Sequence, residues 1–384
     1  MHVPARGARV LAVVAVLASA WWLAARPAGG TEGGSYLPVA AEPPPAPADN
    51  PTTPERAALG RYLFYDVRLS GPGYMSCGTC HRPELGFTDG RPVAIGITGQ
   101  RHPHNTPGLA NVGYFRVLTW ADPAQTLLEE QSATPLFGTD PIEMMAGGRQ
   151  ADILARLRID AGYRQRFLAA FPDTGGTIDF PAIRMALAAF QRTLISADTA
   201  YDRHLRDPAS GALDAAALRG LALFESDRLA CAVCHVPPHF TDAAGAPRFH
   251  NTGLYNLDGA GAYPDGNRGL IEHSGAPADM GRFRTPSLRN VAITAPYMHD
   301  GSIATLDAVI THYAAGGRAA LTGPPSPLVS PDVRGFALSE AERRDLLAFL
   351  EALTDSTFLT DERLQSPYRW GGEGGPRAAD QRRP

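Results

Sequence analysis

The chain is 384 residues long and 44% hydrophobic, with 35 Lys and Arg against 39 Asp and Glu for a formal net charge of −4. That length buries a sizeable core and matches two domains of ordinary size. A chain without a basic excess has no general affinity for nucleic acid, which excludes that class of partner and leaves any protein-docking patch local.

Arg6 and Arg9 open the chain, followed by the apolar run Val10 to Ala25 and then small residues and Pro27. Positive, then greasy, then small is the order of a secretory signal peptide, assigned to residues 1–30. The apolar run falls short of the roughly 20 residues that span a bilayer. An uncleaved N-terminal anchor is the alternative, and membrane contact is expected only in that case. Residues 31–52, rich in Pro, Gly and Ala and including Pro43-Pro44-Pro45, read as a linker that packs no core. Order is predicted to begin at Thr53-Pro54, an N-cap with proline in the first turn. The helix that follows, ALGRYLFYD, brings Leu59, Tyr62 and Leu63 to one face.

Cys77 to His81 reads CGTCH and Cys231 to His235 reads CAVCH. These two units hold all four cysteines of the chain. Two thiols separated by two residues form thioethers with the vinyl groups of a c-type haem, and the histidine directly after them ligates the iron. A zinc site or two disulfides could use Cys77, Cys80, Cys231 and Cys234, but neither accounts for a histidine after each pair. Two covalently bound haem c groups are therefore expected. Bacteria attach such haems outside the cytoplasm, in keeping with export to the periplasm.

The haem units belong to a larger repeat. Ala58-Leu59-Gly60 to Phe64, then CGTCH, then Phe87-Thr88-Asp89 is answered by Ala217-Leu218 to Phe224, then CAVCH, then Phe240-Thr241-Asp242. Two cytochrome c-like domains are the economical account. The break falls at 205–212, giving an N-terminal haem domain over 53–208, a C-terminal one over 209–366, and a disordered Gly- and Arg-rich tail over 367–384. Helical spacing recurs in Ile183, Leu187, Phe190 and Leu194, in Leu306, Val309, Ile310 and Tyr313, and in Leu346, Leu350 and Leu353 behind the capping box Ser339 to Glu342. No long strand pattern competes, so the fold class is mainly α with long loops.

LGRYLFYDVRLS, FTDGRPVAIG, NTPGLANV, LLEEQ, PLFGTDPIEM and TPSLRNVAITAPYMHDGSIATLDAVITHY, in that order from Thr53 to Leu353, resemble the bacterial di-haem cytochrome c peroxidase and MauG superfamily. HNTGLYNLDGAGAYP and DMGRFRTPSLRNV look closer to the MauG-like branch of the methanobactin-associated (MbnH) type. The resemblance implies that His81 is the proximal ligand of the haem that meets H2O2. It also implies that Glu143 is the distal carboxylate that takes a proton from bound peroxide and returns it to the leaving oxygen. Gln131 and Pro135 match residues of the same pocket, although two extra residues separate Gln131 from Glu143 here. Trp120 matches a tryptophan that relays electrons between the haems. Alone, Glu143 would read as an exposed loop charge and Trp120 as core.

Two departures from the peroxidases carry information. Where those enzymes have a histidine that ligates the first iron in an IGH segment, this chain has Ile97, so the first haem is expected to stand open to peroxide. His102 and His104 are alternative ligands. Where the peroxidases have methionine fourteen residues after the histidine of PYxH, counting from His299 reaches Tyr313, as in the MauG type. Tyr313 is thus expected to ligate the second iron opposite His235, with Met298 and Met280 as alternatives. From spacing alone it would be a core tyrosine. An anionic oxygen donor stabilises high-valent iron where a thioether favours the reduced state, which suits a bis-iron(IV) store of both oxidising equivalents. The family also binds calcium through positions that map onto Asn105, Thr294 and Pro296. The implied activity is H2O2-driven oxidation of a partner protein, at tryptophan. The alternatives are a peroxidase fed by a small cytochrome and a non-catalytic di-haem electron carrier.

Overall fold

The computed structural model describes residues 42–369, together with Val39 and the pair 377–378. The expected signal peptide or anchor at 1–30, the first part of the linker and most of the expected tail lie outside the described residues. Eight helices position the site: α1 (Pro54–Tyr65), α2 (Cys77–Cys80), α3 (Leu128–Gln131), α4 (Ala133–Phe137), α5 (Phe180–Gln191), α6 (Ala215–Glu225), α7 (Leu306–Ala314) and α8 (Glu340–Glu351). Among the described residues, strand pairing is confined to two short antiparallel pairs and a few isolated bridges. The pairs are β1 (Phe249–Asn251) with β2 (Arg282–Arg284), and β3 (Tyr368–Arg369) with β4 (Arg377–Ala378). No helix among them is long and apolar enough to cross a membrane.

The chain builds one helix crossing twice. The Thr53 hydroxyl accepts from Arg56 N at 3.2 Å to start α1, whose Leu59 and Leu63 are fully buried. Where α1 meets α5, a Cβ on Gly60 would stand 1.9 Å from Ala186 O, so only glycine lets the backbones come this close. In the second half α6 meets α8 in the same way, with a Cβ on Gly220 falling 2.0 Å from Asp345 O. The capping box expected at Ser339 and Glu342 is present and starts α8. Behind each crossing sits a phenylalanine trio. Phe64 packs on Phe190 and Phe87 with centroids 5.2 and 6.2 Å away, and Phe224 packs on Phe349 and Phe240 at 5.2 and 5.8 Å.

Two stretches expected to be loose are held. Within the linker, Asn50 is buried and donates to Met185 O at 3.0 Å, while Tyr114 donates its hydroxyl proton to Glu42 O at 2.7 Å. Polar side-chain anchors do here what an apolar core could not. At the other end the chain returns from α8 to the first core, burying Phe358 and Leu364 there. Tyr368, assigned to the disordered tail by composition, is also buried. Its hydroxyl donates to Asp66 Oδ2 at 3.1 Å beside that of Tyr163. The acceptor, remote in sequence, is what composition could not reveal.

Candidate functional site

Each CxxCH histidine is held from behind. His81 donates Nδ1–H to Phe87 O at 2.7 Å, and Pro107 O faces the same ring. His235 Nδ1 is shared between Phe240 O and Pro286 O, both at 3.1 Å. A carbonyl only accepts, so the proton sits on Nδ1 and Nε2 keeps its lone pair, the arrangement found behind metal-bound imidazoles. Phe87 and Phe240 present these carbonyls from φ +65° and +53°, a conformation unfavourable for a bulky residue and retained in both repeats. Burial lowers the pKa of both imidazoles, that of His235 to about 4, keeping them neutral.

The second unit opens into a mainly apolar cavity that is partly open to solvent. Cys231, Cys234 and His235 lie on its wall, and so does Tyr313 from α7. The Tyr313 hydroxyl is pushed well above its ordinary pKa, first by burial and then by the neighbouring Cys234 and Cys231 thiols. The four cysteines are unpaired. Free thiol pairs, a histidine with a lone pair on Nε2 and an apolar hollow beside them fit a c-type haem, with Tyr313 on the same wall. Met298 and Met280 both pack against the buried cluster that holds Trp120, Leu254 and Phe283, and of the two only Met298 also lines the cavity.

Around the first unit the expected residues converge through the backbone. Met144 N donates to Pro135 O at 3.0 Å and Ile97 N donates to Glu143 O at 2.9 Å, which sets Pro135, Ile97 and Glu143 side by side. Gln131 stands one turn before Pro135, at the end of α3. Gly96 makes the approach possible, since a Cβ there would lie 2.0 Å from Ile142 O. Burial pushes the Glu143 carboxyl up to about 7, and its field reaches both Cys77 and Cys80. His102 Nε2 lies 4.0 Å from Glu143 Oε1, while His104 turns toward Phe283 and His299.

Trp120 is buried on the wall of the second cavity and donates its indole N–H to Asn105 O at 2.8 Å. Asn105, Thr294 and Pro296 border the same cavity, and the Asn105 amide donates to Arg91 O and Pro92 O. Among the described residues no group of three or more His, Cys, Asp or Glu is arranged for a metal ion. A calcium ion here would rest on neutral oxygens.

The family model of the di-haem cytochrome c peroxidases matches residues 54–210. MauG of Methylorubrum extorquens, a methylamine utilization protein, is 38% identical over 80% of this chain and 81% of its own length. This chain belongs to the di-haem cytochrome c peroxidase and MauG family. A cytochrome-c peroxidase of Denitromonas iodatirespirans is 35% identical over 87% of this chain and 91% of that one. The crystal structure of a MauG-like protein associated with microbial copper homeostasis superposes with a TM-score of 0.82 at 47% identity, covering 89% of this chain and all of the other. Membership makes the protein a peroxide-dependent haem oxidoreductase and implies two haem c groups.

Sequence reasoning found the haem units and the FTD repeat but missed what the repeat is for, which is to carry the carbonyls that hold the histidines. It also missed a second repeated stretch, TPGLANV (106–112) and TPSLRNV (285–291), which supplies Pro107 and Pro286. Self-comparison of the sequence would have found it. Arg284, on the wall of the second cavity, carried no signal at all, since arginine defaults to the surface.

Proposed function

We propose that this family member uses H2O2 to oxidise a partner protein, at tryptophan, in the periplasm. The observation that carries the reading is Tyr313, which lines the cavity that holds Cys231, Cys234 and His235 and occupies the position where the peroxidases of the family carry methionine. The 47% identity with a MauG-like protein points the same way. When bound, the two haems supply the redox chemistry, drawing oxidising equivalents from peroxide and passing them on. The chain's own part is to hold His81 and His235 neutral, to present the Tyr313 oxygen, which would give up its proton on binding iron, and to keep Glu143 able to take up and release a proton near Cys77 and Cys80, where the first haem would be held. Trp120, buried beside the second cavity, would carry electrons between the two sites. We read the repeated helix crossings as two cytochrome c-like domains, 53–208 and 209–366, with calcium at Asn105, Thr294 and Pro296.

The second reading, reduction of H2O2 with electrons from a small cytochrome, draws on the 35% identity with a cytochrome-c peroxidase over 91% of that chain. A co-purified partner treated with peroxide and the holoenzyme should gain a mass change on a tryptophan, while reduced cytochrome c turns over slowly. Fast cytochrome turnover with an unmodified partner would decide for the second reading. Tyr313→Phe should change the visible spectrum of the second haem alone, and an unchanged spectrum would remove Tyr313 as a ligand.

A further inference from the structure

Arg284, in β2, is 4% exposed, yet among the described residues it has no ion-pair partner. Its Nε donates to Thr119 O at 2.9 Å and its Nη1 to Thr285 O at 3.1 Å, both neutral acceptors. Among the described residues the one carboxylate whose field reaches it is Asp242, and Asp242 already holds His250 at 3.1 Å and Arg248 at 3.7 Å. A full charge taken out of water is strongly unfavourable unless an anion meets it. Burial lowers the Arg284 pKa only to about 10, so the group stays charged.

The cavity offers a source for the missing anion. Arg284 lies on the wall of the same cavity as Cys231, Cys234, His235 and Tyr313, and haem brings two carboxylates with it. We propose that the Arg284 guanidinium is the anion-binding subsite of this cavity and pairs with a carboxylate of the haem held there. The proposal rests on the haem reading of the cavity. The two carbonyl contacts fix the plane of the guanidinium, and among the described residues Nη2 has no acceptor, so a charge-assisted hydrogen bond to that carboxylate is open to it.

Pairing also matters for Trp120. Arg284 N donates to Trp120 O at 2.7 Å, and the guanidinium carbon lies 5.9 Å from the Trp120 ring centre. A bare cation at that distance opposes removal of an electron from the indole, and a carboxylate on Arg284 cancels most of that field. Arg284 is thus a positioning residue that joins cofactor carboxylate and Trp120 in one polar chain.

The test uses holoprotein with haem content measured first, comparing wild type, Arg284→Gln and Arg284→Lys. Resonance Raman bending modes of the haem carboxylates and the pH dependence of the second haem's midpoint potential are the readouts. In Arg284→Gln the carboxylate mode should shift. The midpoint should fall, because an unpaired carboxylate favours ferric iron, and should climb again as pH falls and that carboxylate protonates. Arg284→Lys should shift the Raman mode while keeping the potential near wild type. Unchanged modes and an unchanged pH dependence in Arg284→Gln would overturn the proposal. If that variant does not fold, an unaltered Raman mode in Arg284→Lys overturns it. Wild type lacking haem at Cys231 and Cys234 would instead overturn the reading of the cavity itself, a failure that haem content alone identifies.

Discussion

Burial of the Glu143 carboxyl moves it toward the range in which an acid–base group works. An ordinary carboxylate is fully ionised near neutrality, but burial raises this one to about 7, where it can both accept and return a proton. To take the first proton from peroxide it must be ionised. The rate of peroxide cleavage should therefore rise with pH up to about 7 and level off above it. Glu143→Gln should slow cleavage about 10²–10⁴-fold in stopped flow and abolish the rising limb. A normal rate in that variant would end the catalytic assignment. The identity of Glu143 was legible in its PIEM segment, but its environment was not. The loops that bring Ile97 and Pro135 alongside its backbone are remote in sequence, and the sequence carries no mark of which loop will lie against which. Arg284 lies at the other extreme, since nothing in its neighbourhood in sequence announces a buried cation.

At the scale of elements the repeated glycine decides how the helices cross. Gly60 and Gly220 occupy matching positions four residues before Phe64 and Phe224, and each lies against a backbone carbonyl of the facing helix. Gly220→Ala would drive a methyl group to within 2.0 Å of Asp345 O, which cannot move without displacing α8. The expected cost is about 1–3 kcal/mol of overpacking, visible as a lower thermal midpoint. An unchanged midpoint would mean that the helices separate freely. The helices α1, α5, α7 and α8 were legible from caps and periodicity, because those signals are local. Which of them would meet was not, since Gly220 and Asp345 are 125 positions apart and nothing local to either position names the other. Tyr368 escaped for the same reason, its acceptor being Asp66 near the other end of the chain.

Across the whole molecule the two haem supports are tied to one buried polar knot. Asn111 and Asn290, both at positive φ, end the two TP repeats whose prolines back His81 and His235. Asn111 exchanges hydrogen bonds with the main chain of Ser196. Asn290 donates to Ser196 Oγ and accepts from Asp355 N, and Ser196 Oγ donates to Asp355 Oδ2 at 3.1 Å. Asp355 also accepts from Ala197 N, Asp198 N, Thr357 Oγ1 and Phe358 N. Burial alone would raise its pKa, yet these donors hold it below the ordinary carboxylate value. A carboxylate depressed in the folded state lends stability in full above its unfolded value of about 3.9, and that stability is lost as pH falls toward the folded value. Asp355→Ala strands several buried donors and should cost about 3 kcal/mol or more at neutral pH. The gap to wild type should narrow in acid, where the wild-type carboxylate is itself protonated. Because the knot joins Asn111 to Asn290, the variant should broaden the spectra of both haems together. Disturbance of one haem alone would mean that the two histidine supports are independent.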